Sequence, residues 1–244
     1  MSPAAAETNA IVARNLAQVQ ENIAQAAASR SVHLVCVTKY AQDAWIQALL
    51  DCGATDLAEN LLPRAAERFD ELQAAGRRFT RHLIGAPQSR KVKLIAAHFD
   101  WLQALERFSV AQELNAQLGI IGQTMDVLLQ VNISGEPQKH GVLPEQTLEL
   151  AAQVHAECPA LRLRGLMAVP PWPDAYASMA EFEHETRGYF GQMRQLFDKM
   201  RAALPSHEGA DVLSLGMSLD YVWAVEEGAS MVRVGGALFE GLEG

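Results

Sequence analysis

Residues 34–40, "LVCVTKY", form an apolar, partly β-branched run that ends abruptly on a lysine. A strand buried on both faces of a parallel sheet has this composition, and a lysine has no place inside one, so Lys39 belongs at the strand's end. The next stretch, "QDAWIQALLDCG", has helical period and closes on Gly53 at a C′ position. The same alternation then recurs along the chain. "TDLAEN" precedes a helix over 63–75 stopped by Gly76, "FTRHLIG" one over 88–98, and "FDWLQAL" one over 106–118 ending at Gly119. "MDVLLQVN" leads to a helix over 144–157 that Pro159 terminates, and "LRLRGLM" leads through "AVPPWPD" to a long helix over roughly 176–204. "DVLSLG" is followed by "MSLDYVWAVEEG", and "SMVRV" by "GGALFEG".

Upstream of the first strand, Ile11, Val12, Leu16, Val19 and Ile23 recur at spacings of three and four, which predicts an amphipathic helix over 4–28 packed on the outside. Eight strands, each followed by a helix, imply βαβ units and a parallel sheet. In 244 residues that is the size of a (β/α)₈ TIM-type barrel with an extra N-terminal helix. A doubly wound open sheet fits less well, because the turn after the first strand, "KYAQDA", contains no glycine. Without a linker or low-complexity stretch, residues 1–244 read as a single domain.

A formal net charge of −9 and a pI near 5.3 argue against a nucleic-acid or anionic-membrane partner, so any anion site must be local. Three scattered cysteines make neither a disulfide framework nor a Cys-x-x-Cys pair. With no membrane-length apolar run and no secretory start, the expectation is a cytoplasmic protein. No His-Glu-x-x-His or Gly-x-Ser-x-Gly motif is present, so neither a metal site nor a serine-hydrolase elbow is expected.

Barrels of this kind work at the C-terminal ends of their strands. There Lys39 is either a solvated strand terminus or a desolvated amine, with lowered pKa, able to form a Schiff base with an aldehyde. The last two loops suit a phosphate. In "LGMSLD", Ser218 is expected to cap the next helix and face an anion, and Gly235-Gly236 in "VRVGGALFEG" permit close backbone approach. Each loop alone reads equally as an ordinary turn; together they suit a phosphorylated aldehyde. Arg233, two residues before Gly235, can only donate hydrogen bonds, so a pyridine nitrogen facing it stays unprotonated. The alternative is a barrel-interior arginine paired with a carboxylate such as Glu59.

The segments "LVCVTK", "AENLL", "RHLIGAPQSRK", "VNISGEPQKHGV", "RLRGLMAVPP", "LSLGMSLD" and "MVRVGGALFEG", in this order over about residues 11–241, resemble the YggS/PROSC family of pyridoxal phosphate homeostasis proteins. The resemblance implies a barrel like the N-terminal domain of alanine racemase, with pyridoxal 5′-phosphate (PLP) held by Lys39 as a Schiff base. It likewise implies that Ser218, Gly235 and Gly236 cradle the phosphate and that Arg233 meets the ring nitrogen. Asn60, His82, Met217 and Ser214 would line the pocket. This chain departs from the family pattern at Thr38 and Tyr40 around the lysine, at Leu57-Ala58 and Arg81, and at Gly236, where a threonine is usual.

The implied function is a non-catalytic carrier in intracellular PLP homeostasis, monomeric and in transient contact with apoenzymes that need the cofactor. The alternatives are a PLP-dependent enzyme such as an amino-acid racemase, or a Schiff-base aldolase without cofactor. Related racemases take an opposing tyrosine from a separate β domain, which a chain ending at Gly244 is expected to lack. If the strand continues past Lys39, alternation points Tyr40 away from it.

Overall fold

A computed structural model describes residues 3–204 and 209–242. Eight parallel strands run in sequence order around a closed barrel: β1 (His33–Val37), β2 (Asp56–Glu59), β3 (Thr80–Leu83), β4 (Trp101–Leu105), β5 (Met125–Val131), β6 (Leu161–Ala168), β7 (Val212–Ser214) and β8 (Met231–Val234). Closure comes from β1 pairing with β8, with Val35 opposite Arg233 and Cys36 opposite Val234. The strands read as apolar runs because helices cover their outer faces while side chains fill the interior. In β5 every residue except Gln130 is buried.

The helices are α1 (Pro3–Ala27), α2 (Asp43–Asp51), α3 (Arg64–Ala74), α4 (Val92–His98), α5 (Phe108–Ile121), α6 (Thr147–Glu157), α7 (Met179–Ala203) and α8 (Tyr221–Glu226). The N-terminal helix buries Val12, Leu16, Val19 and Ile23 of the predicted stripe, with Ile11 half-buried, and lies against α2 and α8. Asn15 Nδ2 donates to the carbonyls of Leu238 (3.3 Å) and Glu240 (2.8 Å), tying α1 to the chain that follows β8.

Several helices differ from their sequence-based bounds: α4, α6 and α7 begin three or four residues later than expected, at Val92, Thr147 and Met179. Helix α5 runs past Gly119 to Ile121, because the left-handed residue that ends it is Gly122, at φ 65°. Helix α8 is short because Ser218–Asp220 form a turn before it. For α7, Ser178 accepts from the Glu181 N–H while the Glu181 carboxylate accepts from the Ala177 N–H, so each end of the first turn is satisfied. No described helix is long and apolar enough to cross a membrane.

Candidate functional site

The chain leaves β1 through Thr38, which is fully buried and anchored twice to β2. Its N–H donates to the Ala58 carbonyl at 2.9 Å and its hydroxyl to Glu59 Oε1 at 2.9 Å. The Ala41 N–H then donates back to the Thr38 carbonyl (2.9 Å), so Lys39 and Tyr40 occupy a turn and not an extended strand. Strand alternation therefore does not apply to them. Lys39 is half-buried, Tyr40 is 81% exposed, and Lys39 Nζ lies 5.0 Å from the Tyr40 ring centroid, contrary to the expected separation. The ion pairs on this side go elsewhere: Glu59 meets Arg68 at 3.0 Å, and Arg68 also reaches Asp43 at 3.2 Å.

On the other side of the same cleft the chain leaves β8 at Gly235. The N–H groups of Gly235 and Ala237 both donate to Ser218 Oγ, each at 3.2 Å. Ser218 thus bridges the last two loops and does not cap α8; Asp220, next to that helix, accepts from the Met217 N–H instead. A β-carbon on Gly235 would press on the Val37 carbonyl oxygen at 3.1 Å and on Val37 Cβ at 3.2 Å. At Gly236 it would meet only Ser218 Oγ, at 3.7 Å. Lys39, Gly235 and Gly236 share a cleft of about 280 Å³, also lined by Val37, Tyr40, Ala41, Trp45 and Phe239. An amine and a glycine backbone that a side chain would crowd are therefore neighbours, which suits a phosphorylated aldehyde.

Arg233 lies inside the barrel, two residues before Gly235. Its Nη1 donates to the Ser214 carbonyl (2.9 Å) and hydroxyl (2.7 Å), and its Nη2 to the Ala168 carbonyl (3.0 Å). Burial pushes the guanidinium down to about 10, against the opposing pull of Asp220. Glu59, its alternative carboxylate partner from the sequence, belongs to Thr38 and Arg68 instead. Burial raises the Glu59 carboxyl, with those two partners opposing. Of the five guanidinium N–H groups, three are used; Nε–H and one Nη2–H meet no acceptor among the described residues. Free donors at a buried guanidinium fit an acceptor such as a pyridine nitrogen.

Ser214 and His82 sit deeper than pocket-lining residues. Ser214 Oγ donates to Gln103 Oε1 (2.8 Å), Gln103 Nε2 lies 3.1 Å from His82 Nδ1, and His82 Nε2 lies 3.0 Å from Asp56 Oδ1. The His82 ring is fully buried and stacked on Trp101, centroids 5.3 Å apart. Gln103 and Asp56 escaped the sequence reading. The signal that finds Lys39 also finds Gln103: a polar residue inside the otherwise apolar strand "WLQAL".

Asn60, at the end of β2, lies apart from Lys39 in a neighbouring cleft of about 100 Å³ with Gly85 and Lys91. Its Oδ1 is buried without a hydrogen-bond partner, a free acceptor at the barrel mouth. Met217 is half-buried beside Ser218. Among the described residues no cluster of His, Cys, Asp and Glu could hold a metal ion. The three cysteines are free, and burial, aided by Asp56, pushes the Cys36 thiol up to about 12, far from a reactive thiolate.

Residues 14–242 match the family described as alanine racemase, N-terminal domain. The chain is 37% identical to the pyridoxal phosphate homeostasis protein of Pasteurella multocida, over 93% of this chain and 96% of that protein. The protein of that name from Escherichia coli K12 is 36% identical over 93% and 95%. The chain belongs to the pyridoxal phosphate homeostasis protein family. Among solved structures, PipY of Synechococcus elongatus with PLP bound superposes with a TM-score of 0.79 at 27% identity, covering 93% of this chain and 99% of that one. Alanine racemase of Clostridium difficile shares the fold, with a TM-score of 0.71 at 16% identity over 95% of this chain and 60% of that one.

Proposed function

We propose that this chain binds pyridoxal 5′-phosphate and takes part in its intracellular homeostasis, holding the cofactor and passing it on without turnover of its own. The observation that carries this reading is the shared cleft, in which Lys39 and the Gly235-Gly236 backbone line one surface with Ser218 beside them. Lys39 supplies the amine that bonds the aldehyde. The Gly235-Gly236 turn and Ser218 hold the phosphate, and Arg233 offers its free N–H groups to the ring nitrogen. Asn60, with its unpartnered Oδ1, and Met217 border the site, while Ser214 and His82 support it from inside the barrel. In this reading residues 1–244 act as one barrel domain, a cytoplasmic monomer in transient contact with recipient apoenzymes.

Bound PLP supplies an aldehyde and an electron-withdrawing ring, and proton removal from an amino acid needs that ring to be a good electron sink. A guanidinium facing the ring nitrogen cannot accept its proton and leaves the ring a weaker sink. Tyr40, beside Lys39 in sequence, is too exposed to act as a buried opposing acid. Adding PLP should produce a visible band that borohydride abolishes. The loaded protein should restore activity to an apoenzyme, and common amino acids in deuterated water should show no appreciable α-proton exchange. Fast, saturable exchange that disappears in Lys39→Ala would replace the carrier by an enzyme.

A further inference from the structure

The hydrogen bonds between Arg233 and Asp56 form one chain across the barrel interior, from β8 through β7, β4 and β3 to β2. Asp56 fixes its direction. Burial alone would raise this carboxyl, but hydrogen bonds from His82 and Thr55 outweigh it and hold the group below the usual carboxylate range, so Asp56 accepts only. His82 Nε2 faces this carboxylate and donates to it, and Nδ1, which faces the Gln103 amide nitrogen, accepts. Gln103 must turn its Nε2 to the ring, where the same nitrogen also reaches Met231 Sδ at 3.3 Å, and its Oε1 to Ser214. The serine proton is thereby spent on Gln103, which leaves the Ser214 oxygen free to accept from Arg233. Four links, each with its donor on the Arg233 side, join a cation to an anion, and Gln103, His82 and Ser214 are fully buried.

We propose that Gln103, His82 and Asp56 are positioning residues that lock Arg233 into one donor orientation, so that the far mouth of the barrel tunes the ring nitrogen of the bound cofactor. The inference rests on the PLP-binding reading for its consequence. None of the three touches the cofactor; each acts through the next.

Two measurements test it. In the cofactor-free protein, ¹⁵N NMR of His82 should show a proton on Nε2 and a bare Nδ1. Gln103→Glu should add a proton to Nδ1, because a carboxylate there can only accept. In the loaded protein, Gln103→Met, similar in size but unable to make either bond, should weaken PLP binding about tenfold and shift the visible band. Lys39 should still be trapped by borohydride in that variant. A proton on Nδ1 in the wild type, or a Gln103→Met variant with unchanged band and affinity, would overturn the proposal. If Gln103→Met fails to fold, the wild-type and Gln103→Glu shifts decide the relay. A wild type without any cofactor band would defeat the functional reading and with it the tuning role, while the His82 nitrogens report the relay on their own.

Discussion

The two mouths of the barrel are built on opposite rules. At the N-terminal mouth cations are answered by carboxylates: Arg81 with Asp100, Arg162 with Asp126 and Arg164 with Asp211, each at 2.8 Å, and Arg164 also lies over the Trp101 ring. Arg164 and Asp211 line a cavity of about 410 Å³ with His33, Asp56 and Trp101, and the bonding capacity of these ion pairs is largely spent on one another. At the C-terminal mouth Arg68 is paired with Glu59 and Asp43, but part of the capacity is kept in reserve. Among the described residues Lys39 forms no ion pair, the Asn60 Oδ1 has no hydrogen-bond partner, and a β-carbon on Gly236 would meet only Ser218 Oγ, at 3.7 Å. One end is arranged to hold the barrel together and the other to hold something else. Substitutions at the two ends should therefore separate stability from binding.

The largest effect should follow from filling the glycine cradle. Gly235→Val puts atoms against Val37, and overpacking of that kind should weaken PLP binding by roughly 10- to 100-fold, read by titration of the visible band. Ser218→Ala removes a single hydroxyl and should cost less; the reverse order would move the phosphate away from this end. Gly236→Thr sharpens the same point in the other direction. The position has room, and an added hydroxyl should tighten binding by about tenfold.

At the other mouth, Asp126 accepts from both Arg162 and Arg164, and Asp126→Asn should lower unfolding stability by about 1–2 kcal/mol in urea. PLP affinity should not change, and a loss of affinity would break the division between the two ends. The smallest effect concerns acid. The folded-state pKa of Asp56 lies below its ordinary value of about 3.9, so its contribution is complete above that value and is lost as pH falls through the lower, folded-state one. The stability gap between wild type and Asp56→Asn should be flat at neutral pH and close below about pH 4. A gap that widened in acid would contradict that sign.

The alternation of apolar strands and helices was legible because parallel strands covered on both faces carry a continuous apolar signal, as "LVCV" and "MDVLLQV" do. Lys39 and the double glycine were legible as interruptions of that signal at strand ends. Less legible was anything set by contacts between distant strands. Ser218 reads as a helix cap in sequence, yet its oxygen is claimed by the Gly235 and Ala237 N–H groups, 17 and 19 residues on. Tyr40 would point away from Lys39 if the strand continued, yet the turn closed by Ala41 removes both from the alternation. Gln103 lies in an apolar strand, but only barrel closure brings it to Ser214, 111 residues away. The relay is also where the contrast between the mouths gives way, since it connects them.

If Lys39 is the amine that holds PLP, borohydride reduction of the loaded protein followed by peptide mass spectrometry will locate the bond. The predicted result is one labelled peptide carrying the cofactor on Lys39, with no label in Lys39→Ala and unchanged circular dichroism in that variant. Label on Lys91 or Lys139, or undiminished label in Lys39→Ala, would contradict the account.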